Sequence, residues 1–150
     1  MPIWVAIELW DFGLLSRFYE GMQKRDRDAI AREVAPIDGP VLVNWMKMFN
    51  FVRNAAAHHS RLWNRTLSDP AKLPPLEQCR HLQPLHQDET ARRKLFAAFT
   101  CLRHLIRRIH PQSDWHDRVK ELLTTFPTTE LVSLSSAGFE PGWQDTQVWN

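Results

Sequence analysis

Four prolines, Pro70, Pro74, Pro75 and Pro84, crowd the segment from Thr66 to Gln87. Proline fixes φ and has no amide hydrogen, so no continuous helix can cross this stretch. Apolar residues recur at helical spacing on both sides of it. The chain must therefore assemble one helical block before the segment and another after it, across a long irregular connection. A connection of that length is commonly functional or mobile. Only five glycines occur in 150 residues, and alternating strand patterns are scarce. The expected fold class is all-α, a helical bundle of about five helices with a long Pro-rich loop between the third and the fourth.

The first helix is expected from about Pro2 to Tyr19, with Ile3, Ile7, Trp10, Leu14 and Phe18 on one face. Trp4, Glu8, Asp11, Leu15 and Tyr19 form the adjacent stripe, which sets two carboxylates beside an apolar surface. A short charged helix over 26–34 follows. Asp38 is a plausible N-cap for a third helix running from near Pro40 toward Trp63. Its apolar face would hold Trp45, Met48, Phe49, Val52, Ala56, His59 and Trp63. The fourth helix, from about Glu89 to His110, spaces Leu95, Phe99, Leu102, Ile106 and Ile109 by fours and threes. Arg92, Arg93, Lys94, Arg103, His104, Arg107 and Arg108 fill its other half, and no acidic residue lies between Ala91 and Ser113. A fifth helix should run from Ser113 or Asp114 to about Phe126, with a helical turn near 129–135. Phe139, Trp143 and Trp149 imply that the tail docks.

Formal net charge is +2, so bulk charge does not argue for nucleic acid, whereas the local charge of the fourth helix does. A hydrophobic content of 43% is too high for a disordered chain. The chain is long enough for one domain, 1–150, with its own core. The opening residues lack a basic leader, and no apolar run is long enough to span a bilayer. A cytoplasmic location is the expectation, since Cys79 and Cys101 form no disulfide framework. Cys79, His81 and His86 cluster in the loop, and Cys101 and His104 lie three apart on a helix. Neither group supplies four ligands at a standard spacing, so neither a metal nor another cofactor is expected.

The chemistry concentrates in residues 51–65, FVRNAAAHHSRLWNR. Arginine presents a fork of donors that matches two phosphate oxygens, and histidine moves protons near neutral pH. Three alanines between them leave room for something to approach. Asn54 and His58, four apart, share a helix face, and Arg61 and Arg65 continue it. Arg53 and His58 are five apart, which separates them by roughly 140° around the axis and about 7.5 Å along it. One copy makes a poor clamp on a single phosphorus atom. Two copies about a twofold axis, each supplying an Arg and a His, would make a better one, as would a helix break near residues 55–57. On RNA the ribose 2′-OH is an internal nucleophile. A His would take its proton, Arg would stabilise the phosphorane, and no metal is needed.

Arg53-x4-His58 with Asn54 after the Arg looks like the Arg-x4–6-His signature of the HEPN superfamily of helical ribonucleases. The wider string from Arg53 to Arg65 resembles more narrowly the Abi-like family of bacterial phage-resistance proteins. The opening Pro2-Ile3-Trp4, Glu8-Leu9-Trp10-Asp11-Phe12-Gly13 and Leu15-Ser16 are similar to that family, as are Gly138-Phe139-Glu140-Pro141 and Trp143. The resemblance implies a HEPN-like bundle, a homodimer with a composite active site, endoribonuclease activity and a toxin-like role in abortive infection. Arg53 and His58 would be the catalytic pair and Asn54 their polar companion. Family members are about twice as long, with a helical region preceding the part seen here, so this stretch corresponds to their C-terminal half, to a naturally short member or to the remnant of a split gene. RNA is the implied partner, with an antitoxin or regulatory protein beside it and no membrane.

Around that motif, Glu8 is expected to support Arg53 or His58 from behind, and Asn64 to orient Arg53. Arg61 and Arg65 either hold the RNA backbone or solvate the helix. Arg103 and Arg107 represent the basic face of the fourth helix. His59 and Trp63 fall on the core stripe and read as packing residues. The rival expectation is a non-catalytic HEPN-type module that binds a nucleotidyltransferase or an antitoxin.

Overall fold

A computed structural model describes residues 10–150. Among these residues there are six α-helices and no strand, so the chain is all-α. Helix α1 covers Phe12–Gly21, α2 Lys24–Val34, α3 Gly39–Ala57, α4 Gln83–Gln87, α5 Leu95–Ile109 and α6 Trp115–Thr124. Ile3 and Ile7 of the first stripe, and Trp4 and Glu8 of the adjacent one, lie outside the described residues. Within them, the first helix does not run through position 11. Asp11 is extended (ψ 166°), and its carboxylate accepts the Leu14 amide at 2.7 Å, so the helix starts at Phe12.

Helix α3 is the central element and packs against α1, α2 and α5. Its start is written locally. Asp38 accepts the Val41 amide at 2.9 Å, and Pro40 sits in the first turn, where a missing amide hydrogen costs nothing. The α2–α3 corner is tied by Asp28, which accepts the Gly39 amide at 3.0 Å and pairs with Lys24. Those two bonds, Lys24 first, hold the Asp28 carboxyl below its ordinary pKa. The Tyr19 hydroxyl donates to the Arg27 carbonyl at 2.8 Å and locks α1 to α2.

No continuous helix crosses the proline-rich segment, as expected, but its end is regular, with the turn Arg80–Leu82 running into α4, and the segment is part of the core. Leu67, Ala71, Pro74, Cys79, Leu82 and Leu85 are buried. Asn44 of α3 brackets its backbone, donating to the Pro70 carbonyl and accepting the Lys72 amide. The Trp45 indole donates to the Lys72 carbonyl at 2.7 Å. The Leu67 and Ala71 amides donate to the carbonyls of Arg93 and Arg92. Prolines that cannot join a helix thus leave carbonyls and amides that α3 and the 3-10 turn Ala91–Arg93 satisfy.

Helix α5 is shorter than the sequence suggests and is rotated about its axis. Lys94 is extended, so the regular helix starts at Leu95. The expected stripe of Leu95, Phe99, Leu102 and Ile106 is only half-buried, and Ile109 is 64% exposed. Phe96, Ala97, Thr100, Cys101, Arg103, His104 and Leu105 face inward instead. The cause is the tail, which covers a second side of the helix. Phe139, Trp143 and Trp149 are buried, and the Trp149 indole donates to the Thr100 hydroxyl at 3.2 Å. Gly138 turns the chain there at φ +87°. The fifth helix stops at Thr124, and the late turn falls at Leu134–Ala137.

Candidate functional site

The sequence run of residues 51–65 does not form one helix to Trp63. Helix α3 ends at Ala57 with His58 as its C-cap. The next residue, His59, is left-handed at φ +52°. The His59 amide then donates to the Ala56 carbonyl at 3.0 Å, and the Ser60 amide to the Ala55 carbonyl at 2.8 Å. Those two bonds are the Schellman pattern, with histidine where glycine is usual. His59 is exposed and is not the core histidine that its place on the stripe suggested. Ala55, not Ala56, faces inward. Trp63 packs against the core, as expected.

This ending places the motif on the surface at the last turns of α3. Arg53 and His58 are exposed, and Asn54 is half-buried between them. Arg53 Nη1 donates to Asn54 Oδ1 at 2.9 Å. Asn54 therefore orients the guanidinium, and Asn64 stands exposed beyond the helix end. Glu8 lies outside the described residues. Asp11 takes part instead: it lines a cleft of about 440 Å³ with Gly13, Leu14, Arg17, Asn50, Arg53 and Asn54. His58 lines a second depression of about 370 Å³ with Lys47, Asn50, Asn54, Ser60 and Arg65. Asn50 and Asn54 are common to both and form the ridge between them. One copy of the chain thus shares Asn54 between Arg53 and His58 but does not bring the two into one cavity.

Cations surround both depressions. Arg17 stands in the first, and Lys47 and Arg65 in the second. The Arg65 guanidinium lies over the Phe51 ring, 4.9 Å from its centroid, which fixes its direction. Arg61 is exposed. Arg17, Lys47 and Asn50 were not singled out from sequence. The signal for Asn50 is there to read: Asn50, Asn54 and His58 recur every four residues on α3. A Cβ at Gly13 would lie 3.2 Å from Asp11 Oδ1 and 3.3 Å from Asn50 Oδ1, so a side chain there would press on both.

The basic face of α5 needs correction. Arg103 is 5% exposed, and its Nε and Nη1 have no hydrogen-bond partner among the described residues. Burial first, and then Arg107, lowers its pKa. It cannot present itself to a nucleic-acid backbone. Arg107 and Arg108 are exposed at the helix end, and Arg107 reaches the Gln147 carbonyl at 3.4 Å. The possible metal ligands are also regrouped. Cys79 and His81 meet His104, while His86 is exposed and Cys101 is buried. Among the described residues, no helix is long and apolar enough to cross a membrane.

Comparison with known proteins gives a match to one part of the chain. No curated protein matches it, and no solved structure matches it. Residues 1–64 match the family model described as Abi-like protein, and that Abi-like segment is the one that carries α1, α2, α3 and the Arg53–His58 motif.

Proposed function

We propose that this chain is a HEPN-type endoribonuclease of anti-phage defence that cleaves RNA through its own 2′-OH. The observation that carries this reading is the end of α3. It exposes Arg53, Asn54 and His58 on two adjoining, cation-lined depressions that share Asn50 and Asn54. Phosphate oxygens suit Arg53, whose fork is aimed by Asn54. His58 is exposed and able to accept the 2′-OH proton. Arg17, Lys47 and Arg65 supply backbone contacts to an RNA strand. Arg53 and His58 open onto different depressions, so the complete site is composite. A homodimer with α3 near the twofold axis brings one copy's Arg53 to the other's His58.

The 2′-OH attack leaves a 2′,3′-cyclic phosphate on one product and a 5′-OH on the other. The test uses labelled single-stranded RNA in EDTA, with the same RNA carrying one 2′-deoxy position, and the parent chain beside His58→Ala. The expected result is cyclic-phosphate ends from the parent, no cut at the deoxy position, and a loss of at least about 100-fold in His58→Ala. Equal cutting by parent and variant, or cutting of the deoxy site, rejects the mechanism. The separation of Arg53 from His58 also favours a second reading, a non-catalytic module whose cationic face binds a nucleotidyltransferase or an antitoxin. That reading leads if the parent cuts nothing.

A further inference from the structure

Cys79, His81 and His104 each offer a ligand atom, and the three atoms lie within 4.8 Å of one another. Cys79 and His81 belong to the proline-rich segment, and His104 belongs to α5. Cys79 is fully buried at the start of a tight turn, its amide held by the Pro75 and Leu76 carbonyls and its carbonyl by the Leu82 amide. His81 lies on that turn, Arg80–Leu82. His104 projects from α5, 6% exposed, with the Trp45 ring edge-on at 5.6 Å and the His81 ring stacked at 4.7 Å. All three side chains are thus held in place by packing or backbone bonds.

The contact between the two imidazoles is unusual. His81 Nε2 and His104 Nδ1 are 2.5 Å apart, closer than the ~2.9 Å of an ordinary N–H hydrogen bond. The two nitrogens face each other as a hydrogen-bonded pair. Beside the pair opens a cavity of about 370 Å³ lined by Pro36, His81, His104, Arg107, Arg108 and Gln147. Solvent reaches the two rings through it.

We propose that Cys79, His81 and His104 form a binding site for a zinc-class divalent cation, with a water from this cavity as the fourth ligand. One sulfur and two imidazole nitrogens make a borderline-soft set that suits Zn²⁺ and does not suit Ca²⁺ or Mg²⁺. Zn–N bonds of ~2.0 Å at a tetrahedral angle set two ligand nitrogens about 3.3 Å apart. The two ring nitrogens, now 2.5 Å apart, therefore need to part by about 0.8 Å. Burial and the nearby Arg107 keep His81 below its ordinary pKa. Burial, His81 and Arg107 do the same for His104. The Cys79 thiol, raised by burial, gives its proton to water as the metal binds. The cation would clip the proline-rich segment to α5.

The probes are Zn²⁺ and Co²⁺ added to the metal-free full chain. The expected result is one Zn²⁺ per chain by competition with a chromophoric chelator, and a rise in thermal midpoint. Co²⁺ should give a thiolate charge-transfer band with the strong visible bands of four-coordination. Cys79→Ser should abolish the charge-transfer band. His81→Gln, at a half-exposed position that folding tolerates better, should weaken Zn²⁺ by more than about 100-fold, beyond the loss from a second-layer partner. His86→Gln should bind like the parent. A parent that holds no Zn²⁺, or a Cys79→Ser chain that keeps the cobalt spectrum, overturns the site and leaves a hydrogen-bonded histidine pair. These readouts do not depend on RNA cleavage.

Discussion

His59 shows how one residue decides where the motif sits. Its left-handed backbone ends α3 and turns the chain away just after His58. A β-carbon in that conformation costs roughly 1 kcal/mol relative to glycine. His59→Gly is therefore expected to raise stability by about 1 kcal/mol, read as a higher urea midpoint at unchanged slope. A loss of stability would mean that the imidazole makes contacts that outweigh the strain. Arg103 teaches the opposite lesson. Its charge and spacing placed it on a solvated basic face, yet burial holds it inside with two nitrogens unpartnered. A charge read on a helical wheel says nothing about what else packs on that helix.

At the scale of elements, the tail does the most to redirect the fold. Phe96, Phe139, Trp143 and Trp149 form a chain of edge-to-face contacts with centroids 4.8–5.2 Å apart. This cluster claims the side of α5 that carries Thr100 and Phe96 and leaves Ile109 in solvent. Trp149→Ala removes a fully buried ring and the partner of the Thr100 hydroxyl. It should cost about 3–5 kcal/mol, measured by chemical denaturation. A loss below ~1 kcal/mol would show that the tail is not part of the cooperative unit. The docking itself was legible, because three large aromatic residues in a short tail must bury somewhere. The side of α5 it would take was not.

At the scale of the whole molecule, one copy presents Arg53 and His58 on neighbouring but separate depressions. A composite site predicts complementation. Arg53→Ala and His58→Ala chains, each inactive, should regain RNA cleavage when mixed under conditions that exchange subunits. Mixed dimers keep one intact Arg53 and one intact His58. No recovery, with mixed dimers demonstrated by mass, would place the whole site in a single copy.

The helical class, the cap at Asp38 and the proline-rich interruption were all readable from the chain, because each rests on local physics. Spacing, missing amide hydrogens and side-chain caps act within a few residues. Three things were decided only by the tertiary structure. The proline segment became core because Asn44 and Trp45 satisfy its backbone. The inward face of α5 was set by a tail more than thirty residues further on. Cys79 and His81 met His104 across 23 residues or more, a distance at which no spacing rule operates. Local sequence determines which backbone conformations are cheap, but only packing decides which of several apolar or charged faces is left to water.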